Sequence, residues 1–126
     1  MKEYLNGIQH IGLPTQDMDK TIAFYEGLGF EVAYKTVLDG DRVTFLKLAN
    51  LVLETYEVPA AAMADGAIDH VAIDVSDIDA CFAEAKKAGY QMLETEVQYL
   101  PFWANGVKFF NIVGPNHEKI EFSQML

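Results

Sequence analysis

One arginine, Arg42, and one cysteine, Cys81, are all that this 126-residue chain carries of either type. A lone cysteine excludes an intrachain disulfide framework and fits a reducing compartment. The shortage of arginine belongs to a wider deficit: 9 basic residues stand against 19 acidic ones, a formal charge of -10. Phosphate backbones draw their affinity from Lys and Arg, so no nucleic-acid partner is expected. Also missing is any run approaching the roughly 18 to 20 apolar residues of a membrane span, so no membrane partner is expected. The opening Met-Lys-Glu-Tyr lacks the apolar stretch of a signal peptide, and together these absences predict a cytoplasmic protein. What remains is ordinary for a globular chain, 51% hydrophobic and 22% charged, and about one domain's worth of residues.

The chain repeats itself. "HIGLPTQDMDKTIAFYEGLGFE" starts at residue 10, and "HVAIDVSDIDACFAEAKKAGYQ" starts at residue 70. At this offset His10 meets His70, Asp17 meets Asp77, Asp19 meets Asp79, Ala23 meets Ala83 and Gly29 meets Gly89, and the hydrophobic pattern repeats with them. An internal duplication follows: module one over about 6–57, a connection over about 58–67, and module two over about 68–126 of a single domain.

Each module opens with a short strand, roughly Gln9 to Pro14 and Ile68 to Val75, followed by a helix. Helical spacing gives the helices apolar faces of Met18, Ile22, Tyr25 and Leu28, and of Ile78, Cys81, Phe82 and Ala85. On that face Cys81 reads as a core thiol. Asp17, and Ser76 or Asp77, suit N-caps, with Asp19 and Asp79 in the first turns. Gly29 and Gly89 stand where a helix ends in a left-handed residue. Three strands are then expected in each half: Glu31–Thr36, Arg42–Leu48 and Leu51–Glu57, then Tyr90–Val97, Val107–Val113 and Glu118–Ser123. Asp39-Gly40 suits a tight hairpin. The expected fold is α+β, two βαβββ modules in tandem.

Strand alternation decides which way polar residues point. His10 opposes Ile11 and Leu13, and His70 opposes Val71, Ile73 and Val75. In "LVLETYE" Glu54 shares a face with Val52 and Tyr56, opposite Leu53 and Thr55; in "EKIEF" Glu121 opposes Ile120 and Phe122. His10, Glu54, His70 and Glu121 all take the side away from the helix. Solvent-facing glutamates and hydrogen-bonded histidines would satisfy the same pattern, but the repeat symmetry favours a shell for a divalent metal.

These segments, with "FFNIVGPNHEKIEF" at the close, resemble the vicinal oxygen chelate superfamily over nearly the whole chain, and in particular its small glyoxalase I type, lactoylglutathione lyase. The resemblance implies a curled, mostly antiparallel sheet around a central cavity. It implies metal ligands at His10, Glu54, His70 and Glu121, with one divalent ion per site: nickel or zinc first, manganese or cobalt as alternatives. The implied reaction converts the hemithioacetal of a 2-oxoaldehyde and a thiol into a 2-hydroxy thioester through an enediolate. Glu121 and Glu54 are its proton-transfer residues, with Glu121 the stronger choice for the base. A homodimer is implied, its sites within one chain or shared between two.

Tyr56, Phe102, Trp103 and Lys108 are candidate pocket residues, and Lys119 is a second basic residue close to the site elements. Two features depart from the family pattern. Leu13, Pro14 and Thr15 stand where an arginine helps hold a glutathione carboxylate, which predicts weak use of glutathione. His117 replaces the second glycine of the closing turn, requiring a left-handed residue or another turn. Alternatives within the fold are an acyl-CoA epimerase, a thiol-transfer resistance enzyme, and a metal-free binder of a cationic drug of the bleomycin-resistance type.

Overall fold

The protein is described by a computed structural model covering residues 2–4, 6, 8 and 10–126, so the expected strand start at Gln9 lies outside the described residues. It divides into two units, 1–62 and 63–126, with the boundary inside the expected connection.

Unit one has a short 3-10 turn, Lys2–Tyr4, then β1 (Ile11–Thr15), α1 (Met18–Gly27), β2 (Glu31–Leu38), β3 (Asp41–Leu48) and β4 (Leu51–Glu57). Its strands lie in the order β1-β4-β3-β2. β1 runs parallel to β4 and the other pairs are antiparallel. Unit two repeats the plan with β5 (His70–Asp74), α2 (Ile78–Lys87), β6 (Gln91–Met92), β7 (Gln98–Leu100), β8 (Val107–Val113) and β9 (Lys119–Met125). Its order is β5-β9-β8-β6, with β7 also paired to β8.

Local chemistry sets these boundaries. The Asp17 carboxylate accepts from Lys20 N and that of Asp77 from Ala80 N, so both helices start on the expected caps. Both stop through a left-handed glycine, Gly29 at φ 101° and Gly89 at φ 78°. The next amides, of Phe30 and Tyr90, reach back to the carbonyls of Tyr25 and Ala85 and satisfy the helix ends. Asp39 and Gly40 both have positive φ, as a two-residue hairpin requires. His117 adopts the left-handed conformation directly, at φ 60°.

Each helix covers one face of its own sheet. Met18, Thr21 and Tyr25 of α1 are buried together with Thr44, Leu46, Leu53 and Thr55. Under α2, Phe82 meets Phe110 edge-on and Phe110 stacks on Phe122 at 4.9 Å between ring centres. Truncating Phe110, which is fully buried, to alanine would cost about 3–5 kcal/mol through the cavity left behind.

The structure corrects the expected sheet. Among the described residues the strands form two open, mixed sheets rather than a single curled one. Closing the first would require β2 to pair with β1. Instead β2 is an edge carrying Glu31 and Lys35, with a register shift between Val32 and Tyr34, features that end pairing rather than extend it. The expected strand Tyr90–Val97 is corrected as well: it yields only β6, and pairing resumes at β7. In the gap the Glu94 carboxylate accepts from Asn111 N at 2.7 Å, so a side chain takes the place of a backbone partner.

Candidate functional site

In unit one the short turn after Leu48 fixes the register. Leu48 faces Leu51, which places Phe45 opposite Glu54, and β1 joins the other side with Gly12 opposite Glu54. Leu53 and Thr55 are buried toward the helix, so Glu54 points to the open face. His10, immediately before β1, brings its Nε2 to 2.9 Å from Glu54 Oε2. The His10 and Phe45 rings stand nearly perpendicular at 5.8 Å between centres, and the Tyr34 ring lies 6.1 Å from that of Phe45. Tyr56 shares this face, and its ring lies over Gly12 at van der Waals distance from where a β-carbon would stand.

Unit two repeats the arrangement more loosely. β5 and β9 run parallel with His70 opposite Lys119 and Ala72 opposite Glu121. His70 Nε2 lies 3.5 Å from Glu121 Oε2. Its other nitrogen, Nδ1, is 2.8 Å from Asp69 Oδ2. Lys119 Nζ donates to both Asp69 oxygens at 3.0 and 3.1 Å and lies 3.6 Å from Asp65. The hydrogen bond from His70, then that from Lys119, holds the Asp69 carboxyl below the usual carboxylate range. The bond to Asp69 in turn raises the Lys119 ammonium. Beside Glu121, across the β8–β9 ladder, Asn111 is buried; its side-chain amide donates to Glu94 at 2.8 Å, and its Oδ1 has no partner among the described residues.

A nitrogen and an oxygen bound side by side to a zinc-like ion, each about 2.1 Å away, stand roughly 3.0–3.4 Å apart. The separations of 2.9 and 3.5 Å in the two His–Glu pairs lie just below and just above that range. The four expected ligands thus come together as two pairs, one in each unit. Among the described residues, no group of three or more His, Cys, Asp or Glu is arranged to hold a metal ion.

The remaining expected residues divide. Lys108 turns to the helix side, with Nζ 3.4 Å from Asp79 Oδ2. Alternation requires this, because Lys108 sits opposite Gln124, whose side chain bonds Ile78 N at the start of α2. Phe102 and Trp103 are exposed on the β7–β8 loop, and Trp103 has φ 61°. Burial pushes the Cys81 thiol up, as suits a core residue rather than a nucleophile. Arg42 is held by Asp19 at 2.8 Å and Glu57 at 2.7 Å.

Phe45, Tyr34 and Asp69 went unnoticed in the sequence. The hairpin register identifies the first two. For Asp69 the available signal is a carboxylate immediately before a candidate ligand histidine.

The model of the Glyoxalase/Bleomycin resistance protein/Dioxygenase superfamily matches residues 7–122. Over 135 aligned positions the chain is 31% identical to the uncharacterized protein YwbC of Bacillus subtilis (strain 168), covering 93% of this chain and 96% of YwbC. Its fold is similar to that of a glyoxalase family protein from Enterococcus faecalis, with a TM-score of 0.78, 22% identity, and coverage of 95% and 98% of the two chains. It is also similar to the fosfomycin resistance protein FosX from Listeria monocytogenes, solved with Mn(II) and sulfate. There the TM-score is 0.75 and the identity 17%, over 97% of this chain and 94% of FosX.

Proposed function

This chain belongs to the Glyoxalase/Bleomycin resistance protein/Dioxygenase superfamily, and we propose that it is a divalent-metal enzyme of the glyoxalase I type. The reaction is isomerisation of a hemithioacetal, formed from a 2-oxoaldehyde and a thiol, to a 2-hydroxy thioester. The observation that carries this reading is the pair of His–Glu contacts, 2.9 and 3.5 Å, each at a parallel strand junction and facing away from its helix. His10, Glu54, His70 and Glu121 would hold the ion, which when bound would supply positive charge against the negative charge that develops on adjacent substrate oxygens.

Each pair supplies half of a four-ligand shell. The same reading carries a homodimer with two equivalent sites, each within one chain or shared between two. Glu121 takes the proton from one substrate carbon, and a carboxyl group of the site returns it to the next. Tyr56, Phe45 and Tyr34 give the unit-one face an aromatic wall. Phe102 and Trp103 cover the bound adduct from their loop and limit its contact with water.

The thiol is a separate matter. The single guanidinium is occupied by Asp19 and Glu57, which supports weak use of glutathione, an anion. A second reading draws on the fold shared with FosX, solved with Mn(II): a resistance enzyme acting on a small oxygenated antibiotic.

One panel tests both. Protein loaded separately with nickel, zinc and manganese is assayed for thioester formation from methylglyoxal with glutathione, bacillithiol and cysteine, alongside an acyl-CoA epimerisation assay and loss of fosfomycin. Turnover of one thiol adduct above the others is the expected result. Inert adducts at full metal loading, with fosfomycin consumed, would replace the first reading by the second.

A further inference from the structure

Asp69 is the carboxylate closest to a candidate ligand that the proposed chemistry leaves unused. It touches the imidazole nitrogen that faces away from Glu121, 2.8 Å from Nδ1, while Nε2 faces Glu121 at 3.5 Å. A neutral imidazole has one donor nitrogen and one acceptor nitrogen, and the hydrogen bond made by one fixes the role of the other. Asp69 can only accept when ionised, so this contact puts the proton on Nδ1 and leaves the Nε2 lone pair on the side of Glu121. Without it the ring could rotate, or carry its proton on Nε2 and point a hydrogen at the metal position.

Asp69 is itself held in place. Lys119, opposite His70 in the β5–β9 ladder, donates to both of its oxygens at 3.0 and 3.1 Å. Lys119 also lies 3.6 Å from Asp65, so its ammonium sits between two acids. The Asp69 side chain is 61% exposed, so these contacts bias it toward the ring rather than lock it there. Unit one has no such pair in its sequence. Gln9 precedes His10, and Val52 stands two residues before Glu54, where Lys119 stands relative to Glu121. This feature belongs to the second half alone.

We propose that Asp69, clamped by Lys119, is a positioning residue that sets the tautomer and orientation of His70 and thereby strengthens its hold on a metal. The inference rests on the metal-site reading above. Partners of this kind, behind a ligand histidine, characteristically change metal affinity by 10–100-fold.

Two measurements on the purified full-length protein test it. In the metal-free protein, at a pH where imidazoles are neutral, long-range 15N–1H correlation spectra report which nitrogen of His70 is protonated. Chelator competition with zinc reports affinity. In wild type His70 should carry its proton on Nδ1. In Asp69→Ala the proton should move largely to Nε2 and zinc affinity should fall about 10–100-fold. Lys119→Met should shift both readouts the same way by a smaller factor, and Asp69→Glu should restore part of each. An unchanged tautomer in Asp69→Ala, or zinc affinity within twofold of wild type, overturns the proposal. If wild type takes up no zinc, the metal reading fails, and the tautomer measurement alone decides whether Asp69 positions the ring.

Discussion

His10 Nε2 and Glu54 Oε2 lie 2.9 Å apart across the parallel β1–β4 junction, where the first and last strands of the unit meet. The contact joins two residues that only the completed unit brings together. Replacing His10 or His70 by alanine should remove most of the bound divalent metal while leaving a soluble, folded protein. Elemental analysis of wild type and both variants checks this. Equal metal in all three would remove the four residues as ligands.

Glu121→Gln keeps the size of the side chain and deletes the base. Turnover of the preferred thiol adduct should fall by about 10²–10⁴, the usual loss for a general base, while the thermal midpoint changes little. Full activity in this variant would move the role to Glu54, and Glu54→Gln would be measured next.

Thr55 is fully buried beneath α1, and its hydroxyl has no hydrogen-bond partner among the described residues. Valine has nearly the same shape without the polar atom. Thr55→Val should therefore be neutral or stabilising, by up to about 1 kcal/mol. Thr15 is the contrast, since its hydroxyl bonds Thr21 at 2.9 Å and accepts from Asp17 N at 3.0 Å. Thr15→Val removes both bonds and should cost about 1–3 kcal/mol. Urea unfolding of the two variants gives the comparison; equal losses would contradict it.

Glu57 accepts from Arg42 N at 2.8 Å and from its guanidinium at 2.7 Å, and these bonds hold its carboxyl below its ordinary value of 4.5. A lowered carboxylate stabilises the fold above its unfolded value and loses that contribution as pH falls through its folded value. Glu57→Gln should thus be less stable than wild type at neutral pH, with the gap narrowing in acid below pH 4.5. Thermal midpoints across that range would show it; a constant gap would rule out the linkage.

The open-face residues were legible because two independent patterns agree on them. Alternation assigns His10, Glu54, His70 and Glu121 to the side away from the helix, and the repeat assigns them twice. The helix limits were legible for a similar reason, since Asp17, Asp77, Gly29 and Gly89 each have a local task. Sheet closure was not legible. It depends on whether β2 finds a further partner, and neither periodicity nor propensity records the edges of a sheet. The interrupted strand before β7 was hidden because the Glu94 carboxylate stands in for a backbone group. The side taken by Lys108 follows from alternation along β8, where it shares the helix face with Phe110.

The parallel junction also bears on how the site fails. β1 is five residues long and bonds to one neighbour, β4, while β2, β3 and β4 form a continuous antiparallel run. Edge elements of this kind open more readily than the strands behind them. When β1 lifts away it carries off the backbone that presents His10, while Glu54 stays on β4. Amide exchange in β1 is therefore a clock for the intact donor pair: the fraction of time these amides are protected sets an upper limit on the fraction of molecules in which the two side chains can act together.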